Sequence, residues 1–356
     1  MEIATTMVIL DALPNPVLLL DSQKTIVAAN SAAKELLGAE IEGRSLAIAL
    51  RHPEILDAVN AVIADEQKRQ ISISLLASVW RSFDIQIASL MATNESTADA
   101  ILTMHDTTAT RNADQMRADF VANVSHELRS PLSSLIGFIE TLRGAARDDV
   151  DARDRFLGIM DNESKRMARL IDDLLSLSKV EASEHILPDE TVDIFELLAE
   201  VRDTLSERAA ERHIDVNLPT LNGKYPVLGN RDELMEVFLN LIDNAVKYCP
   251  ENTSISVDIE RISRIPDRGG PGIMVSVADQ GDGISAEHLP RLTERFYRVD
   301  RGRSRTMGGT GLGLAIVKHI VNRHRGRLAI DSIVGEGTIF RVYLPSEENT
   351  EATLPS

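Results

Sequence analysis

The chain has 356 residues, enough for two or three domains that each bury a core. Thirty-eight basic against fifty-five acidic residues give a net charge of −17. That balance argues against direct nucleic-acid binding, and no basic patch on a DNA-reading element offsets it. A single cysteine, Cys249, excludes an intrachain disulfide and a cysteine-built zinc cluster, and fits a reducing compartment. No apolar run approaches the roughly 20 residues that span a bilayer. The start of the chain lacks the basic and apolar regions of a signal peptide. These residues are therefore expected to be cytoplasmic, with no transmembrane segment, leaving open an anchor upstream of Met1.

Up to about residue 108, short apolar runs alternate with turn-formers. Val17 to Leu20 and Thr25 to Ala29 read as hairpin arms on either side of Asp21-Ser22. Helical stretches follow at Asn30 to Leu37 and Pro53 to Ala64. Strand-like runs then occupy Arg69 to Leu76, Ser78 to Leu90 and Ala100 to His105. Two strands, small helices and three strands predict a small α+β domain, with Trp80 in the core of its sheet.

Residues 109–182 carry a different signal. Val121, Val124, Leu128, Leu132, Leu135, Ile139 and Leu142 recur at spacings of three and four, the stripe of an amphipathic helix. Gly144 to Asp151 interrupts the pattern, and a second stripe runs from Phe156 to Leu177. Two such helices with a short break predict an antiparallel hairpin. A lone hairpin leaves much of each stripe wet, so pairing with a second copy in a four-helix bundle is expected.

The hairpin carries Ser125-His126-Glu127-Leu128-Arg129-Ser130-Pro131-Leu132. At 100° per residue, His126 lies about 200° from both Val124 and Leu128, away from the apolar stripe. An imidazole that is neutral at cytoplasmic pH offers one ring nitrogen as a nucleophile. Glu127 beside it can hold the other nitrogen and take its proton. Pro131 removes a backbone N–H and frees the Glu127 carbonyl, so the helix should bend near the reactive residue. A solvated helical histidine is also commonly a plain surface residue. The octapeptide alone does not decide between the two.

From about Asp189 to Leu344 helices and strands alternate. Ile194 to Glu211 and Arg231 to Tyr248 read as helices; Ser254 to Ile262, Gly272 to Ala278, Arg327 to Asp331 and Thr338 to Tyr343 read as strands. The polar last ten residues are expected to be disordered. Four clusters in this region suit one purpose. Asn240 and Asn244 share a helical face with Lys247 and Tyr248, combining amide oxygens suited to Mg²⁺ with a cation suited to phosphate. Asp279-Gln280-Gly281-Asp282-Gly283-Ile284 ends a strand with a carboxylate able to accept from an exocyclic amine, followed by glycines that admit a flat base. Gly308-Gly309-Thr310-Gly311-Leu312-Gly313-Leu314 opens a helix running to about His324, and bare N–H groups at a helix start favour phosphate. Gly335 to Thr338 is a tight turn that offers a hydroxyl to a base-bound water. Between the main glycine clusters, Arg291, Arg295, Arg298, Arg301, Arg303 and Arg305 form either a solvated loop or a lid over a triphosphate.

Taken together, these residues resemble the sensor histidine kinases over about residues 109–345. Ser125 to Leu132 is similar to that family's histidine box and Asn240 to Tyr248 to its asparagine box. Asp279 to Ile284 and Gly309 to Leu314 are similar to the two glycine boxes, and Arg295-Phe296-Tyr297-Arg298 to the phenylalanine box. The resemblance implies a multidomain α+β protein. It would have a PAS-like sensor domain at 1–108, a hairpin at 109–185 forming a dimeric four-helix bundle, an α/β sandwich of the Hsp90, gyrase and MutL type at 186–346, and a tail at 347–356. It further implies autophosphorylation of His126 from ATP and transfer to an aspartate of a response regulator. Asn244 would hold Mg²⁺ and Asp279 the adenine amine. Lys247, Tyr248 and Arg298 would lie near phosphates or ribose. The run Gly137 to Arg143 together with Arg295 to Asp300 looks most like phosphate-regulon kinases of the PhoR type, which implies a PhoB-like partner and phosphate-starvation signalling. His105-Asp106-Thr107-Thr108 is similar to the end of PAS domains. Where the family often has threonine or asparagine four residues after the phosphoacceptor, this chain has Ser130, whose hydroxyl can still position a water for dephosphorylating the partner. The alternatives are an ATPase of the Hsp90/MutL type, which has no use for a His-Glu pair on a hairpin, and a non-catalytic sensory scaffold.

Overall fold

The computed structural model describes residues 8–76, 80–90, 98–220, 223–300 and 309–346. The expectations for Ser78, Arg301, Arg303, Arg305, Gly308 and the last ten residues lie outside them. Two compact units form, one up to Ala122 and one from Asn123 onward.

In the first unit, β1 (Val17–Leu20), β2 (Ile26–Ala29), β3 (Arg69–Leu76), β4 (Trp80–Ser89) and β5 (Ala100–Asp106) form one antiparallel sheet in the order β2-β1-β5-β4-β3. Between β2 and β3 lie α1 (Ser31–Leu37), α2 (Leu46–Ala49) and α3 (Pro53–Asp65). Strand alternation sends Phe83, Ile85 and Ile87 to one face, where they bury with Leu102, Met104 and the Ile55, Val59 and Val62 stripe of α3. Asn30, fully buried, ties the entrance together. Its Oδ1 accepts from the Val17 and Ala33 amides, and its Nδ2 donates to the Leu10, Leu13 and Asn15 carbonyls.

Trp80 departs from expectation: it is 67% exposed rather than in the core. The same alternation explains this, because position 80 has the parity of Ser82 and Asp84, on the face opposite Phe83 and Ile85. At the far end of the sheet, the Thr108 amide donates to Asp106 Oδ1 and the Ser82 amide to Thr108 Oγ1, both at 2.9 Å, where α4 (Thr108–Arg143) begins.

In the second unit, α4 is followed by α5 (Val150–Ala182), which starts on Asp149, whose side chain accepts from the Ala152 amide. Phe138 of α4 stacks on Phe156 of α5 with ring centroids 5.1 Å apart, closing the hairpin near its turn. Part of the apolar stripe stays wet in the single chain: Leu132 is 50%, Ile139 43% and Ile171 46% exposed.

Beyond the hairpin come β6 (Thr191–Asp193), α6 (Ile194–Glu211), β7 (Asp215–Asn217), β8 (Pro226–Leu228), α7 (Arg231–Tyr248), β9 (Ser254–Ile262), β10 (Gly272–Asp279), α8 (Gly313–Arg323), β11 (Arg327–Ile333) and β12 (Gly337–Pro345). The main sheet runs β11-β12-β10-β9-β7, antiparallel except for the β7–β9 pair, and β6 pairs with β8 separately. The buried sides of β9, β10 and β12 meet Leu234, Val237, Phe238, Leu241 and Ile242 of α7 and Ile316, Val317 and Ile320 of α8. With the apolar side of α7 committed to this core, its other side faces a cavity.

Candidate nucleotide and phosphoacceptor site

A cavity of about 370 Å³ opens beside α7, within the size range of small-molecule and cofactor sites. Asn240, Asn244, Lys247 and Tyr248 reach it from the polar side of α7, and Asp279, Gly281, Gly283 and Ile284 from the end of β10. Gly309, Thr310, Gly311, Gly313 and Leu314 come from the start of α8; Arg298 and Thr338 complete this set. Of the proposed nucleotide residues, Leu312 alone is absent from the lining. Its side chain is fully buried beneath the loop.

Asp279 ends β10 directly opposite Thr338 of β12. Its Oδ1 accepts from the Gly281 amide at 2.8 Å. Burial pushes this carboxyl above the ordinary aspartate range, and the Gly281 and Thr338 amides offset part of the rise. Gly283 has φ +68, and a Cβ there would fall 2.0 Å from the Ile333 carbonyl oxygen, so no side chain fits the turn. Ser332 links the two loops. Its Oγ accepts from the Ile284 amide at 2.7 Å, donates to the Gly337 carbonyl at 2.9 Å and lies 2.9 Å from Thr338 Oγ1.

Gly313 is the first residue of α8, where a Cβ would lie 2.5 Å from Asn240 Oδ1. The loop before it is pinned on two sides. The Phe296 amide donates to the Gly311 carbonyl at 2.8 Å, and Thr310 Oγ1 donates to Asp173 Oδ2 at 2.5 Å. Lys247 Nζ lies 2.5 Å from Asp243 Oδ2, and Arg208 pairs with the same carboxylate.

His126 is exposed on α4. Glu127 Oε2 accepts from Arg166 Nη2 of α5 at 2.7 Å and lies 3.6 Å from Arg298 Nη2. A residue lining the cavity thus approaches the carboxylate next to His126. Ser130, one turn on, is half-buried. Among the other lid arginines, Arg291 stacks its guanidinium 4.2 Å from the Tyr297 ring centroid and Arg295 pairs with Glu181.

Sequence reading missed Arg169, Asp173, Arg208 and Asp243 in the cavity wall and Ser332 behind it. Arg169 and Asp173 belong to α5 and reach the cavity only through tertiary packing, so no local pattern marks them. Asp243 lies within the asparagine-bearing helix and was within reach of that reading.

An α/β sandwich with this cavity, walled in part by a histidine-bearing hairpin, belongs to the class of ATP-using kinases that act on histidine. Three family descriptions match the chain: the histidine kinase-, DNA gyrase B- and HSP90-like ATPase at 229–348, the His Kinase A (phospho-acceptor) domain at 116–183, and the PAS fold at 10–112. The chain belongs to the sensor histidine kinases, and resembles the phosphate regulon sensor protein PhoR of Pseudomonas aeruginosa with 36% identity over 344 residues, 96% of this chain and 74% of that protein. Sensor histidine kinase WalK of Bacillus subtilis is 37% identical over 255 residues, 70% of this chain and 40% of that protein. Among solved structures, histidine kinase ThkA, in complex with response regulator protein TrrA, matches in fold with a TM-score of 0.52 at 23% identity, covering 95% of this chain and 97% of that one. The protein is an ATP-dependent protein-histidine kinase of α+β architecture, with a PAS-like sheet, a helical hairpin and an α/β sandwich. No helix among the described residues is long and apolar enough to cross a membrane.

Proposed function

We propose that the kinase phosphorylates His126 from ATP held in the α7–α8 cavity and passes the group to an aspartate of a response regulator. The observation that carries this is the continuity between cavity and hairpin: Arg298 lines the cavity and stands 3.6 Å from the carboxylate beside His126. Asp279 accepts from the adenine amine, Gly281, Gly283 and Ile284 flank the base, and Thr338 closes that end. Lys247, Tyr248 and the Gly309–Leu314 segment face ribose and phosphates, with the amides at the start of α8 giving positive potential. Mg²⁺, which neutralises phosphate charge, fits Asn244 with Asn240 nearby. No group of three or more His, Cys, Asp or Glu forms a metal set among the described residues. Asn244 and Asn240, both lining the cavity, would offer amide oxygens to an ion otherwise held by phosphate.

In the reaction a ring nitrogen of His126 attacks the γ-phosphorus in line. A P–N bond forms, the bond to the β-phosphate oxygen breaks, and ADP leaves. Glu127 accepts the proton that the imidazole sheds, while Arg298 and Arg166 hold its carboxylate in place. Positioning and charge neutralisation supply most of the acceleration. Ser130 would orient a water for dephosphorylating the regulator.

The domains are taken as a sensor at 1–108, a hairpin at 109–185, an ATP-binding domain at 186–346 and a tail at 347–356. The wet apolar stripe of the hairpin supports a homodimer with a four-helix bundle. The likeness to a phosphate regulon sensor protein supports phosphate-starvation signalling. The reading includes a PhoB-like regulator as partner and a cytoplasmic location for these residues. Replacing His126 with Gln should abolish labelling from γ-labelled ATP while nucleotide binding persists. Labelling that survives would assign the phosphoacceptor elsewhere.

A further inference from the structure

One wall of the cavity is supplied by the hairpin. Arg169 and Asp173, one turn apart on α5, both line it. Asp173 Oδ2 accepts from Thr310 Oγ1 at 2.5 Å, and Thr310 Oγ1 in turn accepts from the Leu312 amide at 3.3 Å, in the loop leading into α8. Burial pushes the Asp173 carboxyl upward, with Thr310, Lys247 and Arg169 opposing the rise. Three residues further along, Ser176 Oγ donates to both carboxylate oxygens of Glu236 at 2.7 Å, a hairpin contact that does not line the cavity. The mechanism above uses neither Asp173 nor Ser176.

A carboxylate resembles a phosphate edge: two oxygens, negative charge, and acceptance from a hydroxyl. We propose that Asp173 occupies a phosphate position on Thr310, so that hairpin docking at this residue and triphosphate binding compete for the same loop. Asp173 thereby sets the affinity for the phosphates of ATP. A triphosphate entering the cavity meets this carboxylate as a like charge, and in a partly buried site salt screens the repulsion little. Entry displaces Asp173 from Thr310 and leaves Arg169 to face the phosphates together with Lys247. The inference rests on reading the cavity as the ATP site.

The test is calorimetric binding of ATP with Mg²⁺, and of adenosine, to the full chain and to the variants Asp173→Ala, Asp173→Asn and Ser176→Ala. Asp173→Ala should tighten ATP binding roughly tenfold and leave adenosine unchanged, since removing one close like charge is worth about that factor. Asp173→Asn, which keeps the shape and an acceptor but not the charge, should fall between. Ser176→Ala should leave ATP affinity within about twofold, because the contact it removes lies off the cavity. Asp173 variants that bind ATP no tighter than wild type would overturn the inference. So would equal tightening of adenosine, or a Ser176→Ala effect as large as that of Asp173→Ala. Failure of wild type and variants alike to bind either ligand would instead remove the ATP reading of the cavity, and the inference with it.

Discussion

Arg298 and Arg166 converge on one oxygen of Glu127, Arg166 Nη2 donating to it at 2.7 Å and Arg298 Nη2 lying 3.6 Å away. One arginine belongs to the nucleotide cavity and the other to the hairpin, so Glu127 joins the two halves of the reaction next to the proposed nucleophile. Glu127→Gln keeps the shape but removes the proton acceptor. Autophosphorylation at saturating ATP should fall by about 10²–10⁴, with ATP affinity little changed. Arg298→Ala should weaken binding and slow the reaction together. Single-turnover labelling beside equilibrium binding separates these outcomes, and a Glu127→Gln enzyme with normal rate and weak binding would contradict the assignment.

Asp279 sets function against stability. Its folded-state value is raised from the ordinary 3.8, chiefly by burial, so the folded protein holds the proton more tightly than the unfolded chain. The ionised form therefore opposes folding. Stability from this group is greatest at low pH and declines as pH rises from about the ordinary value through the raised one. Above that window Asp279→Asn should melt at a higher temperature than wild type without nucleotide, yet bind ATP poorly. A thermal scan with and without ATP reads both effects. An Asp279→Asn protein that gains no stability, or that keeps full ATP-induced stabilisation, would refute them.

Much of the sandwich was legible because local signals agree with one another. Helix α6 begins where Asp193 caps it, and α7 where the Asn230 side chain accepts from the Glu233 amide at 3.0 Å, each before a run of apolar residues at helical spacing. Their sequence-based limits, Ile194 to Glu211 and Arg231 to Tyr248, coincide with those observed. The strands β6, β7 and β8 have three residues apiece, too few for a period of two to register. Trp80 lies outside the core because parity in β4, not aromatic character, decides which face it takes. Asp173 and Arg169 were invisible for another reason: on an amphipathic helix they read as solvated charges, and only the packing of α5 against the sandwich gives them a role.

Gly283 is conformationally required. With φ +68 and the Ile333 carbonyl 2.0 Å from where a Cβ would stand, Gly283→Ala must push β11 away from the loop. A cost of about 1–3 kcal/mol is expected from the strained backbone alone. The displacement also reaches Ser332, which holds the Ile284 amide at 2.7 Å. Reduced denaturation midpoint together with weaker ATP binding is the expected pair of results; a variant with native values for both would show that the turn tolerates a side chain.

His324 predicts a loss of stability on acidification. Its Nε2 accepts from the Asn230 amide at 3.0 Å and its Nδ1 lies 2.8 Å from the Ile320 carbonyl, so the neutral ring uses both nitrogens. Burial lowers its value from the ordinary 6.5, the Arg323 cation acting in the same direction, while the Ile320 carbonyl and Glu233 oppose them. The unfolded chain therefore binds this proton more readily. The stability is present above about the ordinary value and is lost as pH falls from there through the lowered one. In His324→Gln the side-chain oxygen can accept from Asn230 without titrating. Its midpoint should start lower than wild type at pH 7.5 and change less by pH 5.5. Parallel pH dependence in both proteins would remove His324 as the cause.

The hairpin stripe is the surface a second copy would cover. Leu132 is 50%, Ile136 49% and Ile139 43% exposed on α4, three apolar side chains at helical spacing on one face. Burying each against a second copy would contribute up to about 1.5–3 kcal/mol, so a single charge in the stripe should be enough to shift assembly. Ile139→Glu, over three turns from His126 and away from the cavity, should convert a dimer to monomer in light scattering at micromolar protein. ATP binding to the sandwich should persist, because Ile139 is not among the residues that line the cavity. Two measurements on one variant thus separate assembly from nucleotide recognition, and a wild-type chain that scatters as a monomer would defeat the four-helix bundle outright.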